Sequence, residues 1–240
     1  MMARGAPTTA TARQRGAATV EFYLIAFWVL VPLLMGILQL GLFMVAKNTV
    51  NVAALNAARA GAASGINPGE MRNAFLQGIL PLYASHGMER VGGNDFVDVS
   101  NNYGTVTTGA YLAAAKEWAL SPVGNRIIVL NPRRAAFDDF GINRASDRQR
   151  IIPVENLMSN NAAGSRSGQL RSDALLLKIE ANYCYRMVVP IIDTMIISTL
   201  RNVFDRFDAA AQDCYLNNAI LIRSQAVVRM TVPPIQANVR

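Results

Sequence analysis

At 240 residues the chain has room for one membrane segment and one domain of moderate size. Charged residues are only 16% of it and the mean hydropathy is +0.21, an average lifted by one apolar run near the N-terminus. The net charge of +7 raises the question of a nucleic-acid partner, yet Arg4, Arg13 and Arg15 supply three of those charges and the rest of the chain carries +4. No dense Lys/Arg cluster with interleaved aromatics follows, and Arg144 to Arg150 is interrupted by Asp147 as in a solvated loop. Nucleic acid is therefore not among the expected partners.

Residues 1–16 are rich in Ala, Thr, Gly and Arg and read as a disordered, basic leader. From Phe22 to Ala46 no charged residue occurs. That length crosses a bilayer, which needs roughly 20 apolar residues. Arginines before the run, against Lys47 and Arg59 after it, place the N-terminus in the cytoplasm and the bulk of the chain outside the inner membrane. A secretory signal peptide is the rival reading, with cleavage near Ala58–Ala63. Its apolar core would be about 7–15 residues, shorter than this run.

Glu21 stands at the front of the run. An acid at a membrane edge is costly and calls for an explanation. One explanation is local: the carboxylate sits among headgroups and favours the first helical turn through the helix dipole. The other is a processing and assembly signal. Gly16-Ala17-Ala18-Thr19-Val20-Glu21-Phe22, then Pro32 within the run, then Ala53-Ala54, Ala57-Ala58-Arg59-Ala60-Gly61-Ala62, resembles the TadE-like proteins, pseudopilins or minor pilins of tight-adherence (Tad/Flp, type IV-like) pilus systems. The resemblance is strong over about residues 13–62. It is weaker from Leu177 to Tyr185 with Val189-Pro190, which resembles that family's closing strand region. The pair Glu21-Phe22, where major Flp pilins carry Glu-Tyr, favours the minor-pilin branch.

The resemblance implies that a prepilin peptidase cuts after Gly16, leaving Ala17 as the first mature residue and Glu21 as the fifth. It implies that Glu21 then neutralises the N-terminal amine of a neighbouring subunit. In an apolar bundle such a pairing removes two unpaired charges at once. The partners it implies are the inner membrane, the peptidase, other Tad pilins and minor pilins, and assembly-platform proteins.

The fold expected is α+β. A long pilin-like transmembrane helix leads a periplasmic domain of helices packed on a small antiparallel sheet. The divisions are a leader at 1–16, a long helix at 17–64 with its membrane segment at 22–46, and an extracytoplasmic domain at 65–240. The helix is predicted over Ala18–Ser64, with Pro32 as a kink site. Val50, Ala53, Ala54, Ala57, Ala58, Gly61 and Ala62 form a small-residue stripe at helical spacing, joined within the span by Gly36 and Gly41. The lower half is expected to face lipid or partner helices and the upper half to pack on the domain. Gly65 and Asn67-Pro68-Gly69 end the helix.

A second helix is predicted over Glu70–Ser85, burying Met71, Phe75, Leu76, Ile79, Leu80 and Leu82, with Pro81 bending or ending it. Gly87–Gly104 reads as loop, with a short strand at Phe96–Val99. Tyr111–Leu120 is Ala-rich and helical, with Trp118 in the core, and Arg126–Leu130 is a short strand. Turn formers and charges dominate Asn131–Asp173, which reads as an exposed, flexible insertion. Leu175 to Tyr185 alternates with Lys178, Glu180 and Asn182 as a half-buried strand, and Ala219–Val232 is its antiparallel partner. Val188–Phe207 is an amphipathic helix, either buried or lying on the membrane surface. Cys184 and Cys214 are read as a disulfide in an oxidising compartment, the alternative being two buried thiols.

No catalytic constellation emerges. His86 stands alone beside Gly87 and reads as a loop residue, Asp138-Asp139 reads as a loop or helix start, and GxSxG, HExxH and Walker patterns are absent. Neither a metal nor a cofactor is expected. Beside the minor-pilin reading stand two others: an unprocessed single-pass scaffold of an envelope complex, and a membrane-anchored enzyme.

Overall fold

The computed structural model describes residues 17–84, 99–155, 162–189, 192–204 and 207–239. The leader with Gly16, His86, and most of the expected loop at Gly87–Gly104 and strand at Phe96–Val99 lie outside them; where those two expectations reach described residues, at 99–104, the chain is helical instead.

Helix α1 is one continuous rod of three segments: Ala17–Ile25, a π-type turn at Ala26–Leu30, and Val31–Ala63. The expected kink at Pro32 takes this form. Proline has no N–H to give and its ring crowds the carbonyl four residues back, at Trp28. A wider turn over Ala26–Leu30 accommodates both defects without breaking the rod. The upper half buries Ala46, Val50, Ala53, Ala54, Ala57, Ala58, Gly61 and Ala62. Gly65, with φ of +65°, ends the helix in a left-handed turn, so that Ile66 N–H reaches back to Gly61 O at 2.8 Å. The carbonyl of Ala62 accepts from Thr231 N and Val232 N, each at 3.2 Å, which ties the top of α1 to the chain beyond the sheet.

Helix α2 (Pro68–Gly78) starts on Asn67, whose side chain accepts from Gly69 N, with Pro68 at its first position. It buries Met71, Phe75 and Leu76, and it stops earlier than expected, because Pro81 is taken up in a 3₁₀ turn at Leu80–Tyr83. Helix α3 (Val99–Leu120) begins well before Tyr111. Asn, Gly and Thr through 101–109 look like loop formers. However, Val106, Ala110 and Ala114 fall four apart and are buried, so packing overrides propensity.

The sheet is antiparallel in the order β1 (Arg126–Asn131), β4 (Leu176–Arg186), β5 (Ala219–Arg229). β4 and β5 pair in unbroken register from Leu176 opposite Arg229 to Arg186 opposite Ala219. β5 ends at Arg229 rather than Val232. Leu177, Ile179, Ala181, Tyr183 and Tyr185 point toward α1 and α2 and are buried. Each fully buried Leu or Ile contributes about 1.5–3 kcal/mol over an exposed one. The predicted alternation stops at Ala181. Asn182 and Cys184 are buried as well, because helix α7 (Ala209–Leu216) and the 121–125 turn cover that end of the other face.

The stretch after β1 carries more regular structure than its turn formers suggest. It holds α4 (Arg134–Phe140), the short ribbon β2 (Ile142–Asn143) with β3 (Arg150–Ile151), and α5 (Arg171–Ala174). Phe137 and Ile152 are fully buried. Helix α6 (Ile192–Thr199), continued by a π-type turn at Leu200–Phe204, is shorter than the 188–207 helix expected.

Candidate functional site

The surfaces with functional character are the two ends of α1. At the lower end Glu21 and Phe22 are exposed in the first turns, with Phe22 and Tyr23 ring centres 6.0 Å apart. Among the described residues no ion pair within the chain reaches the Glu21 carboxylate. From Val20 to Val45 the helix turns outward Phe27, Trp28, Leu33, Leu34, Ile37 and Leu38 with many of their neighbours. α1 is long and apolar enough to cross a membrane. Gly16, the residue before the expected cut, lies outside the described residues, and Ala17 opens the helix.

At the upper end the helix is fixed in the domain by close contact. A Cβ built on Gly78 of α2 would sit 2.6 Å from Ala53 Cα, and one on Gly61 would sit 2.9 Å from both Leu177 and Met71 side-chain atoms. Only small residues permit that approach. Gly36 and Gly41 differ, since a Cβ on either meets nothing within 4 Å.

Between the two ends lies a contact that sequence reasoning missed. Gln39, the one strongly polar side chain of the apolar run, is buried and its Oε1 accepts from Val189 N at 3.0 Å. The signal was present: a lone amide in such a run needs a partner. One turn higher, Phe43 packs on Tyr185 with ring centres 6.3 Å apart.

Cys184 and Cys214 are joined, with Cα atoms 5.2 Å apart. The bridge ties β4 to α7 and closes over the 121–125 turn, where Asp213 accepts from Val123 N and Gly124 N and Asn125 accepts from Cys184 N. In the core, the hydroxyls of Tyr83 and Tyr183 are hydrogen-bonded. Burial pushes the Tyr83 hydroxyl up to about 12 and raises that of Tyr183 as well. Asp139 is held down at about 2 by hydrogen bonds, first from the Ser167 side chain and then from backbone N–H groups of Ser167 and Arg166. It shapes the 163–169 turn. Asp138 instead pairs with Arg166 at 3.7 Å, so the adjacent acids serve loop structure. Trp118 is half-buried against Phe75, ring centres 5.3 Å apart. Among the described residues no group of three His, Cys, Asp or Glu could hold a metal ion.

The family model described as TadE-like protein matches residues 16–59. The chain carries a TadE-like segment at its N-terminal end. That segment covers Glu21, the exposed apolar half of α1 and most of the small-residue stripe. No curated protein and no solved structure matches the chain.

Proposed function

We propose that this protein is a minor pilin or pseudopilin of a Tad/Flp pilus. The leader 1–16 is cytoplasmic and is removed after Gly16 by a prepilin peptidase. Ala17 becomes the mature N-terminus, residues 22–46 hold the protein in the inner membrane, and residues 65–240 form a periplasmic domain. The processed subunit then joins other Tad pilins through the assembly platform, as a minor component of a filament used in adhesion or as an aid to its assembly.

One observation supports this reading most. Within a TadE-like segment, an exposed carboxylate without an ion-pair partner among the described residues heads an apolar helix half that the domain leaves uncovered. A carboxylate entering an apolar bundle needs a cation, and a new N-terminal amine on a neighbour supplies one. The small upper stripe does not serve this purpose, because the domain already occupies it.

The deciding experiment is mass spectrometry of the mature N-terminus with and without the cognate prepilin peptidase. A peptide starting at Ala17 only when the peptidase is present is expected. An intact N-terminus in both samples would replace this reading with a bitopic scaffold, and a start near residue 60 would replace it with a secreted soluble domain. Glu21→Ala is expected to leave membrane insertion intact and to lower filament number at least about tenfold, the effect of a lost differential interaction of about 1.4 kcal/mol. Unchanged piliation would count against the role given to Glu21.

A further inference from the structure

The apolar run does not stand clear of the domain along its whole length. The Val189–Gln39 hydrogen bond lies inside the run, and Gln39 is only 2% exposed. At 1.5 Å per residue, Gln39 lies about 12 Å below Lys47, the first charge after the run. The chain leaving β4 therefore runs from Tyr185 beside Phe43 down to Val189 beside Gln39, and α6 follows it, packing on α1 and burying Ile197.

Three large apolar side chains of this corner face outward, beside the polar Thr194, Ser198, Thr199 and Asn202. Val188 is 69% exposed, Met195 63% and Phe207 97%. Two exposed hydroxyls of α6 bond to its own backbone: Ser198 Oγ and Thr199 Oγ1 donate to Met195 O at 3.0 and 2.9 Å. Those donors need no water, a condition that an acyl environment imposes. The charges keep to the margins. Asp193 begins α6, Arg201 follows its end, and Lys47, Asp208 and Arg223 line one cavity of about 320 Å³ beside Phe43. Arg223 pairs with Asp208 there, which marks a polar level just above the apolar corner.

We propose that α6, with Val188 and Phe207, is a lipid-facing wedge seated in the periplasmic leaflet of the bilayer that α1 crosses. Met195 and the two flanking residues meet acyl chains, and Gln39 pins the wedge to the anchor. Depth selects lipid as the occupant: exposed Val188 adjoins the Val189–Gln39 contact, which lies inside the apolar run. The wedge fixes how far the anchor can slide and which side of the domain rests on the membrane. The inference rests on α1 spanning the bilayer.

The test uses the full chain, disulfide intact, in vesicles of phosphatidylethanolamine and phosphatidylglycerol. Single cysteines at Met195→Cys, Phe207→Cys, Leu38→Cys and Val227→Cys carry an environment-sensitive fluorophore, and a nitroxide on the lipid acyl chain acts as quencher. Quenching at 195 and 207 is expected to be comparable to that at 38 and several-fold stronger than at 227, on the exposed sheet face. Weak quenching at 195 and 207 with strong quenching at 38 overturns the wedge and leaves the anchor standing. Weak quenching at 38 overturns the spanning reading itself. Blue-shifted emission at 195 without lipid quenching assigns the patch to a protein surface and also overturns the proposal. On the unmodified chain, a phospholipid with a diazirine in its acyl chain is expected to label the peptide holding Met195. Labelling confined to α1 peptides contradicts the wedge.

Discussion

The lower half of α1 displays Phe27, Trp28, Leu33, Ile37 and Leu38 to its surroundings, whereas the upper half buries a set made almost wholly of alanine and glycine. Both halves are apolar and both are helical, yet their side chains differ in volume. Lipid accepts large side chains at any azimuth and asks only for hydrophobicity. A sheet and a second helix closing on the rod ask instead for small residues, so that backbones come near. Size, more than hydropathy, separates the part that meets a fluid from the part that meets a solid.

Enlarging a residue in the packed half should expose this contrast most strongly. Ala53→Leu forces a side chain into the Gly78 crossing and is expected to cost about 3 kcal/mol. Thermal unfolding in detergent should then fall by about 6–12 °C, on the scale of a domain this size. A change within error would mean that the crossing is loose.

The tyrosine pair sharpens the same contrast through pH. The Tyr83 hydroxyl, ordinarily near 10.0, is raised to about 12 by burial. The neutral form is thus favoured in the fold, and its contribution is complete below pH 10. Above that, the unfolded chain ionises first, and stability on the order of 2 kcal/mol is lost as pH rises to about 12. Tyr83→Phe should decline less steeply over that range when denaturation midpoints are compared. Parallel curves would place Tyr83 in solvent.

At the boundary between the halves, Gln39→Leu removes the acceptor for Val189 N–H. A loss of about 1 kcal/mol is expected, which corresponds to about fivefold faster tryptic cleavage at Arg201 when α6 loosens. Unchanged cleavage would detach α6 from the anchor. The smallest effect belongs to the uncovered half. Leu38→Ala should shift domain unfolding by no more than about 0.5 kcal/mol, and a larger shift would mean that the domain reaches lower than Gln39.

How much of this could be read from residues alone follows the range of each interaction. The rod, its end at Gly65 and the β4–β5 pairing rest on local period and turn chemistry, and the sequence displays them directly. The register of α3 was hidden, since its early turns are helical only because Val106 and Ala110 find a buried face. The second buried face of β4 was hidden for a similar reason: Asn182 and Cys184 are covered by α7, more than 20 residues away in the chain. Pro32 announced a disturbance in α1 but not its form. The assembly role proposed for Glu21 and Phe22 rests on their position before an apolar run. Gln39 needed Val189, 150 residues on, to acquire a meaning.

The π-type turn at Ala26–Leu30 sets the phase of the rod. One residue inserted in a helix of 3.6 residues per turn rotates everything beyond it by about 100°. The turn lies between Glu21 and the stripe that fixes α1 in the domain, so the compass bearing of the carboxylate relative to the sheet is decided by those five residues. Removing one of them would leave length and hydropathy almost unchanged and turn Glu21 to a different side of the rod. In the assembly proposed above, that bearing would select which neighbouring subunit the charge can reach.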